Sequence, residues 1–124
     1  MQVDRMHPVG KWQFKVTHQD GAMQGRIDES LVVLEPDQTF IFLSPGPGTG
    51  TWQSNGSTNI SYGFTQLISY DARGTFTHYV IVTQQGTLST DSASFTSSGQ
   101  GVVYDADGTY AASHRTTVQA TRIS

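Results

Sequence analysis

Four histidines in this sequence, His7, His18, His78 and His114, carry groups that gain and lose protons near neutral pH. Two of them interrupt stretches that alternate between apolar and polar residues. His78 follows Phe76 and precedes Val80 and Val82 at a spacing of two, and His114 follows Tyr110 and Ala112 in the same way. An imidazole beside a tyrosine, here Tyr104 or Tyr62, holds an enol, lactone or keto oxygen or moves a proton. His78, His114 and Tyr104 are therefore the catalytic candidates. The competing reading is that each histidine only hydrogen-bonds inside a core. Even-numbered neighbours would form the walls of a small-molecule site: Trp52, Phe64 and Phe76 as apolar surface, and Tyr62, Gln66, Tyr70, Gln100 and Tyr110 as hydrogen-bonding groups. His7 falls in an N-terminal tail and His18 at the start of a long loop, so both are read as solvated.

Several other chemistries find little footing. The histidines lack metal-ligand spacing and the chain has no cysteine, so no zinc site, disulfide or thiol nucleophile is expected. Gly46, Gly48 and Gly50 lie among Pro45 and Pro47 with no helix behind them, which fits a stiff turn better than a phosphate cradle. Ser94, Ser97 and Ser98 have neither a nucleophile elbow nor an acid to orient His114. Asp71, Asp105 and Asp107 read as turn residues. No cofactor is expected.

The elements that must position these groups are strands. From Asn59 to Thr83 the chain reads as two long strands on the turn Asp71-Ala72-Arg73-Gly74, with Ile60, Tyr62, Phe64, Gln66, Ile68 and Tyr70 on one face of the first. A three-residue hairpin loop sets Ile68 opposite His78 and Gln66 opposite Val80. The segment 70–76 recurs as Tyr104-Asp105-Ala106-Asp107-Gly108-Thr109-Tyr110, with a looser echo at 34–40, so one turn chemistry is used repeatedly. The second copy sets Tyr104 opposite Tyr110 and Gln100 opposite His114. The remaining strands are expected at 10–17, 31–35, 39–43, 49–53, 94–104 and 109–122, with residues 18–29 as a long loop. The pair 31–35 and 39–43 is apolar on both faces, so cover on its outer side is expected.

Composition agrees. Charged residues are 14% and hydrophobic residues 35%, because Thr, Ser, Gly and Gln fill the rest; that balance favours strands over helices. The formal charge is −3 without a basic cluster, which argues against nucleic acid. No apolar run suits a signal peptide or a membrane span, so a cytoplasmic location is the expectation. Residues 1–9 read as a tail and 10–124 as one domain. Eight antiparallel strands on short turns remove their edges by closing into an up-and-down barrel. Such a barrel either fills with side chains or holds one small ligand. The long loops 18–29, 44–48, 71–74 and 105–108 fall at one end, taken as the mouth.

Gly10-Lys11-Trp12 at the start of the first strand resembles the Gly-x-Trp signature of lipocalins, and Ala120-Thr121-Arg122-Ile123 resembles the last strand of small bacterial lipocalin-like barrels. The resemblance implies that Arg122 packs across Trp12 at the closed end and that the barrel has a cavity for a small apolar molecule. Phe14, Val16, Phe42, Ile60, Val80 and Val102 would join its walls. The leading expectation is binding of a small hydrophobic molecule by a monomer or homodimer, without nucleic acid or membrane as partner. The alternative is a cofactor-independent cyclase or isomerase acting on a polyketide- or terpenoid-like substrate in the same cavity. A domain whose interior is only core is a third reading.

Overall fold

The structure, a computed structural model, describes residues 8–44, 48–55, 58–70, 72–73 and 75–123, with the backbone alone at 22, 55, 68–70 and 76. Eight strands follow one another: β1 Gly10–His18, β2 Ile27–Leu34, β3 Thr39–Ser44, β4 Gly48–Asn55, β5 Asn59–Tyr70, β6 Phe76–Leu88, β7 Ser94–Asp105 and β8 Tyr110–Arg122. Each pairs antiparallel with the next, and β8 returns to β1, so the sheet is a closed up-and-down barrel. Closure leaves no strand at an open edge of the sheet.

Alternation sets the interior. Trp12, Phe14, Ser30, Val32, Leu34, Phe40, Phe42, Trp52, Ile60, Tyr62 and Phe64 are all buried and all even-numbered, as the period of two requires. Strand β7 breaks that parity. Its buried residues are Phe95, Ser97 and Val103, all odd-numbered. Two features produce the switch. At one end Leu88 pairs with Phe95 across the β6–β7 connection, and seven positions is an odd step. At the other end Tyr104 pairs with Tyr110 as expected, but a bulge follows and Val103 pairs with Ala112. The extra residue, Ala111, inverts which side chains of β7 face the same way as those of β8.

The hairpin register holds at Gln66 opposite Val80. A bulge beyond Leu67 then sets Ser69, not Ile68, opposite His78. Asp71 and Gly74 of that turn lie outside the described residues. The other two copies of the turn match bond for bond. Glu35 N donates to Thr39 O at 2.9 Å and Asp105 N to Thr109 O at 2.8 Å; the Asp37 and Asp107 carboxylates each accept from a threonine N–H two residues on at 3.0 Å. Gln38 and Gly108 occupy the same place in the two turns with φ of 73° and 92°.

One end of the barrel is plugged. Arg122 lies 4.5 Å over the Trp12 ring, donates from Nε to Ser92 O at 2.8 Å and from Nη1 to Val9 O at 2.6 Å. The Trp12 indole donates to Pro8 O at 2.9 Å. Pro8 is fully buried, so residues 8 and 9, expected in the tail, are built into this closure. Above it Phe95 meets Trp12 and Phe14 edge-on at 4.8 and 5.5 Å. On the other wall Phe40 stacks on Tyr62 and Phe64 at 5.1 and 4.7 Å. Gly48 and Gly50 sit inside β4 opposite Phe42 and Phe64, not in a turn as expected, while Gly46 lies outside the described residues. Outside the barrel Leu43 is 46% exposed, so the expected cover over β2 and β3 does not reach it.

Candidate functional site

The opposite half of the barrel is hollow. A cavity of about 430 Å³ opens toward the β1–β2 connection, within the range of about 300–1,000 Å³ usual for small-ligand sites. The hollow follows from side-chain size. Along β1 the inward residues go from Trp12 and Phe14 to Val16 and His18, and along β7 from Phe95 to Gly101 and Val103. Large rings fill the closed end, and valines and glycine leave space at the other.

A chain of buried hydroxyls and one amide forms a polar floor. Tyr62 Oη meets Ser97 Oγ at 2.8 Å, Ser97 Oγ donates to Gln84 Oε1 at 2.8 Å, and Gln84 Nε2 donates to Thr116 Oγ1 at 2.9 Å. Ser97 has one hydrogen and gives it to Gln84, so Tyr62 must donate to Ser97. Burial raises the pKa of Tyr62, only partly offset by the Ser97 hydrogen bond, so the phenol stays neutral. The amide of Gln84 reaches Thr116 across β7 at Gly99, which pairs with both residues. A Cβ on Gly99 would lie 1.9 Å from Thr83 O, so no other residue fits there.

The mouth carries charge. His18 Nε2 lies 2.9 Å from Asp28 Oδ2, and Arg26 Nε donates to Asp28 Oδ1 at 2.8 Å. Partial burial alone would raise the Asp28 carboxyl, but hydrogen bonds from His18 and Arg26 outweigh it and hold the group below the usual carboxylate range. The ring of His114 stands edge-on to that of His18 with centroids 6.5 Å apart. The other nitrogen of His18, Nδ1, is buried and has no hydrogen-bond partner, alone in this among the described side chains. His18 was expected to be solvated; its side chain is 15% exposed and tied to Asp28. The reason is that β2 begins at Ile27, inside the stretch read as loop. His18 and Asp28 are then diagonal same-face neighbours on a strand pair.

Of the residues singled out in the sequence, Tyr62, Phe64, Gln66 and His114 line the cavity, with Val16, Phe42 and Val80. Trp52 is buried but belongs to the plugged half, where its indole donates to Glu35 O at 3.0 Å. The parity switch of β7 turns Gln100, Val102 and Tyr104 away from the interior. Gln100 is exposed and pairs with Arg115 instead of His114; Tyr104 stacks on Tyr79 at 5.3 Å. Tyr110 is 60% exposed. His78 is not in the cavity: its ring contacts Asp105 Oδ1 at 3.1 Å and Thr77 Oγ1 at 3.0 Å, with 38% of the side chain exposed. The expected grouping of His78, His114 and Tyr104 is therefore not formed. The side chains of Tyr70, Phe76 and Ile68 lie outside those described.

Sequence reasoning missed Gln84, Ser97, Thr116 and the pair His18–Asp28. Ser97 shares its face with Phe95 and Val103, the apolar positions of β7 that carried the signal. A broad polar groove also crosses the outer face, lined by Gln53, Gln85, Gln100 and Arg115. Its buried members, Tyr62, Gln84 and Thr116, belong to the floor already described, and the rest of its lining is mostly polar, so the apolar cavity is the better site. No group of three or more His, Asp or Glu suited to a metal occurs among the described residues. No family model, curated protein or solved structure matches the chain.

Proposed function

We propose that the protein binds one small, largely apolar molecule in the mouth half of the barrel. The observation that carries this reading is the 430 Å³ hollow, walled by Phe14, Phe42, Phe64, Val80, Val82 and Val118 above a hydrogen-bonded floor. Affinity comes from apolar burial, at roughly 25 cal/mol per Å². Orientation comes from the few polar atoms at floor and mouth. The likeness to small lipocalin-like barrels, carried in sequence by Gly10-Lys11-Trp12 and Arg122, agrees with it through the packing of Arg122 on Trp12.

The test uses the neutral dye N-phenyl-1-naphthylamine, whose fluorescence rises in apolar surroundings. One dye per chain is expected, and Val80→Phe, which fills the cavity, should abolish the rise. In a hollow the added ring costs little, whereas overpacking a filled core costs about 1–3 kcal/mol. If Val80→Phe binds dye as well as the parent does, or unfolds outright, the cavity reading is wrong.

A further inference from the structure

The mouth of the cavity holds a histidine in an unusual state of satisfaction. Nε2 of His18 faces a carboxylate that also accepts from Arg26, so Nε2 carries a ring hydrogen, and in the neutral ring Nδ1 carries the lone pair. That lone pair is buried and bonded to nothing among the described residues. A buried acceptor without a partner has lost its water and gained nothing in return, so the arrangement is favoured when an arriving group supplies a hydrogen. His18, Asp28 and His114 all line the cavity.

We propose that His18 is a cofactor-free general base, oriented by Asp28, acting on an apolar carbonyl compound with an acidic C–H bond. Nδ1 takes the hydrogen from the carbon next to the carbonyl. The electron pair of the broken C–H bond moves into the new C=C, and the carbonyl pair goes to oxygen, giving an enolate. Where the substrate carries a C=C at the β,γ position, the electron pair spreads into a dienolate, and return of the same proton to the γ carbon gives the conjugated isomer, so no oxidant, reductant or metal is consumed. His114, on the same cavity wall with its ring centroid 6.5 Å from that of His18, donates to the enolate oxygen. Asp28 is a positioning residue: it fixes the tautomer and stabilises the imidazolium once formed. The apolar walls raise the reactivity of a base held away from water. The proposal rests on the binding reading above.

The other charged and titratable groups near His18 are already engaged. Arg26 is on Asp28, Glu29 accepts from Gln13 Nε2 at 2.7 Å, and Asp20 accepts from Arg115 N at 2.9 Å. Only His114 faces His18 from β8.

The test uses 5-nitrobenzisoxazole, a flat apolar molecule that opens to a coloured cyanophenolate when a base removes its C3 hydrogen. The C–H pair becomes part of the nitrile, the N–O bond breaks, and its electrons stay on the phenolate oxygen. The intact protein is expected to exceed free imidazole at equal concentration, with the rate rising with pH through one midpoint. His18→Ala should lose about 100-fold of the rate at saturating benzisoxazole, in keeping with the contribution of a general base, and added imidazole should restore part of it. Asp28→Asn should lower both the rate and the pH midpoint, because the imidazolium loses its counter-charge; a merely structural carboxylate would leave the midpoint in place. A His18→Ala variant that binds dye and reacts as fast as the parent overturns the base and leaves the binding site standing. If no dye binds at all, both readings fall; if dye binds but the benzisoxazole reacts no faster than with free imidazole, the base is overturned and the binding site stands.

Discussion

Replacing Ser97 by alanine deletes one hydroxyl but strands two neighbours. In the chain Tyr62→Ser97→Gln84→Thr116 the Ser97 oxygen accepts from Tyr62 and its hydrogen goes to Gln84 Oε1. Alanine leaves the phenol hydrogen and an amide oxygen unpaired in a buried place, where Tyr62 is 5% and Gln84 3% exposed. Each stranded group costs about 1–3 kcal/mol, part of which returns because the serine hydroxyl no longer needs to be buried. The net cost is about 2–4 kcal/mol. Tyr62→Phe is milder. Ser97 keeps its bond to Gln84 and loses only an incoming donor, for about 1 kcal/mol. Each variant removes a single hydroxyl, so the volume removed alone would give equal costs. Urea unfolding followed by tryptophan fluorescence reads both. At an m-value of about 1–3 kcal/mol per molar, Ser97→Ala should lower the midpoint by roughly 1–2 M. The double variant should cost less than the sum, since phenylalanine at 62 removes one of the stranded groups. Equal costs for the two single variants, or additivity within about 0.5 kcal/mol, would show that the polar floor is not a connected chain.

Three further outcomes are expected. Gln38→Gly should raise stability by about 1 kcal/mol, because Gln38 holds φ of 73° where the matching turn has Gly108; thermal unfolding measures it. Arg122→Ala should cost about 2 kcal/mol and shift Trp12 emission, since two carbonyls lose their donor and an indole its cation, and Arg122→Lys should recover only part. Stability should decline as pH falls through and below about 4: the Asp28 carboxyl is depressed in the folded state, so its contribution is complete above the unfolded value and lost as the folded group takes its proton. Urea midpoints across that range should fall less steeply in Asp28→Asn.

Strand order and the barrel were legible because alternation is local and loud in β1, β5 and β6. The orientation of β7 was not. Its odd positions are Phe95, Ser97, Gly99, Gly101 and Val103, its even ones Thr96, Ser98, Gln100, Val102 and Tyr104, and each set holds only two aromatic or aliphatic side chains. A face so weakly marked is decided by its neighbours: by Leu88 opposite Phe95, and by the bulge at Ala111. Neither has a sequence signature, and together they exchange Gln100 and Tyr104 for Ser97 and Gly101 on the inner wall. The mouth failed for another reason. Gly21 and Gly25 made 18–29 read as one loop, so parity was never applied to Asp28, although His18 and Asp28 are both even-numbered residues of one strand pair.

Size, not polarity, decides where this barrel is hollow. In the closed half Trp12, Phe14, Phe40 and Phe95 are each at most 2% exposed and meet ring to ring, and Arg122 seals them. That half supplies the burial and aromatic contact that the fold needs. The mouth half gives up such contact: Val16, Val80, Val82 and Gly101 cannot span the lumen from opposite walls, and the cavity remains between them. Had every inward position been polar, the same taper would still leave a hole; had every one been phenylalanine, there would be none. Stability and occupancy are thereby separated along the barrel axis. The Tyr62–Ser97–Gln84–Thr116 floor is the boundary, since it belongs to the core by burial and to the cavity by position. Substitutions of the rings below it act on folding, and substitutions of the valines above it act on what the cavity accepts.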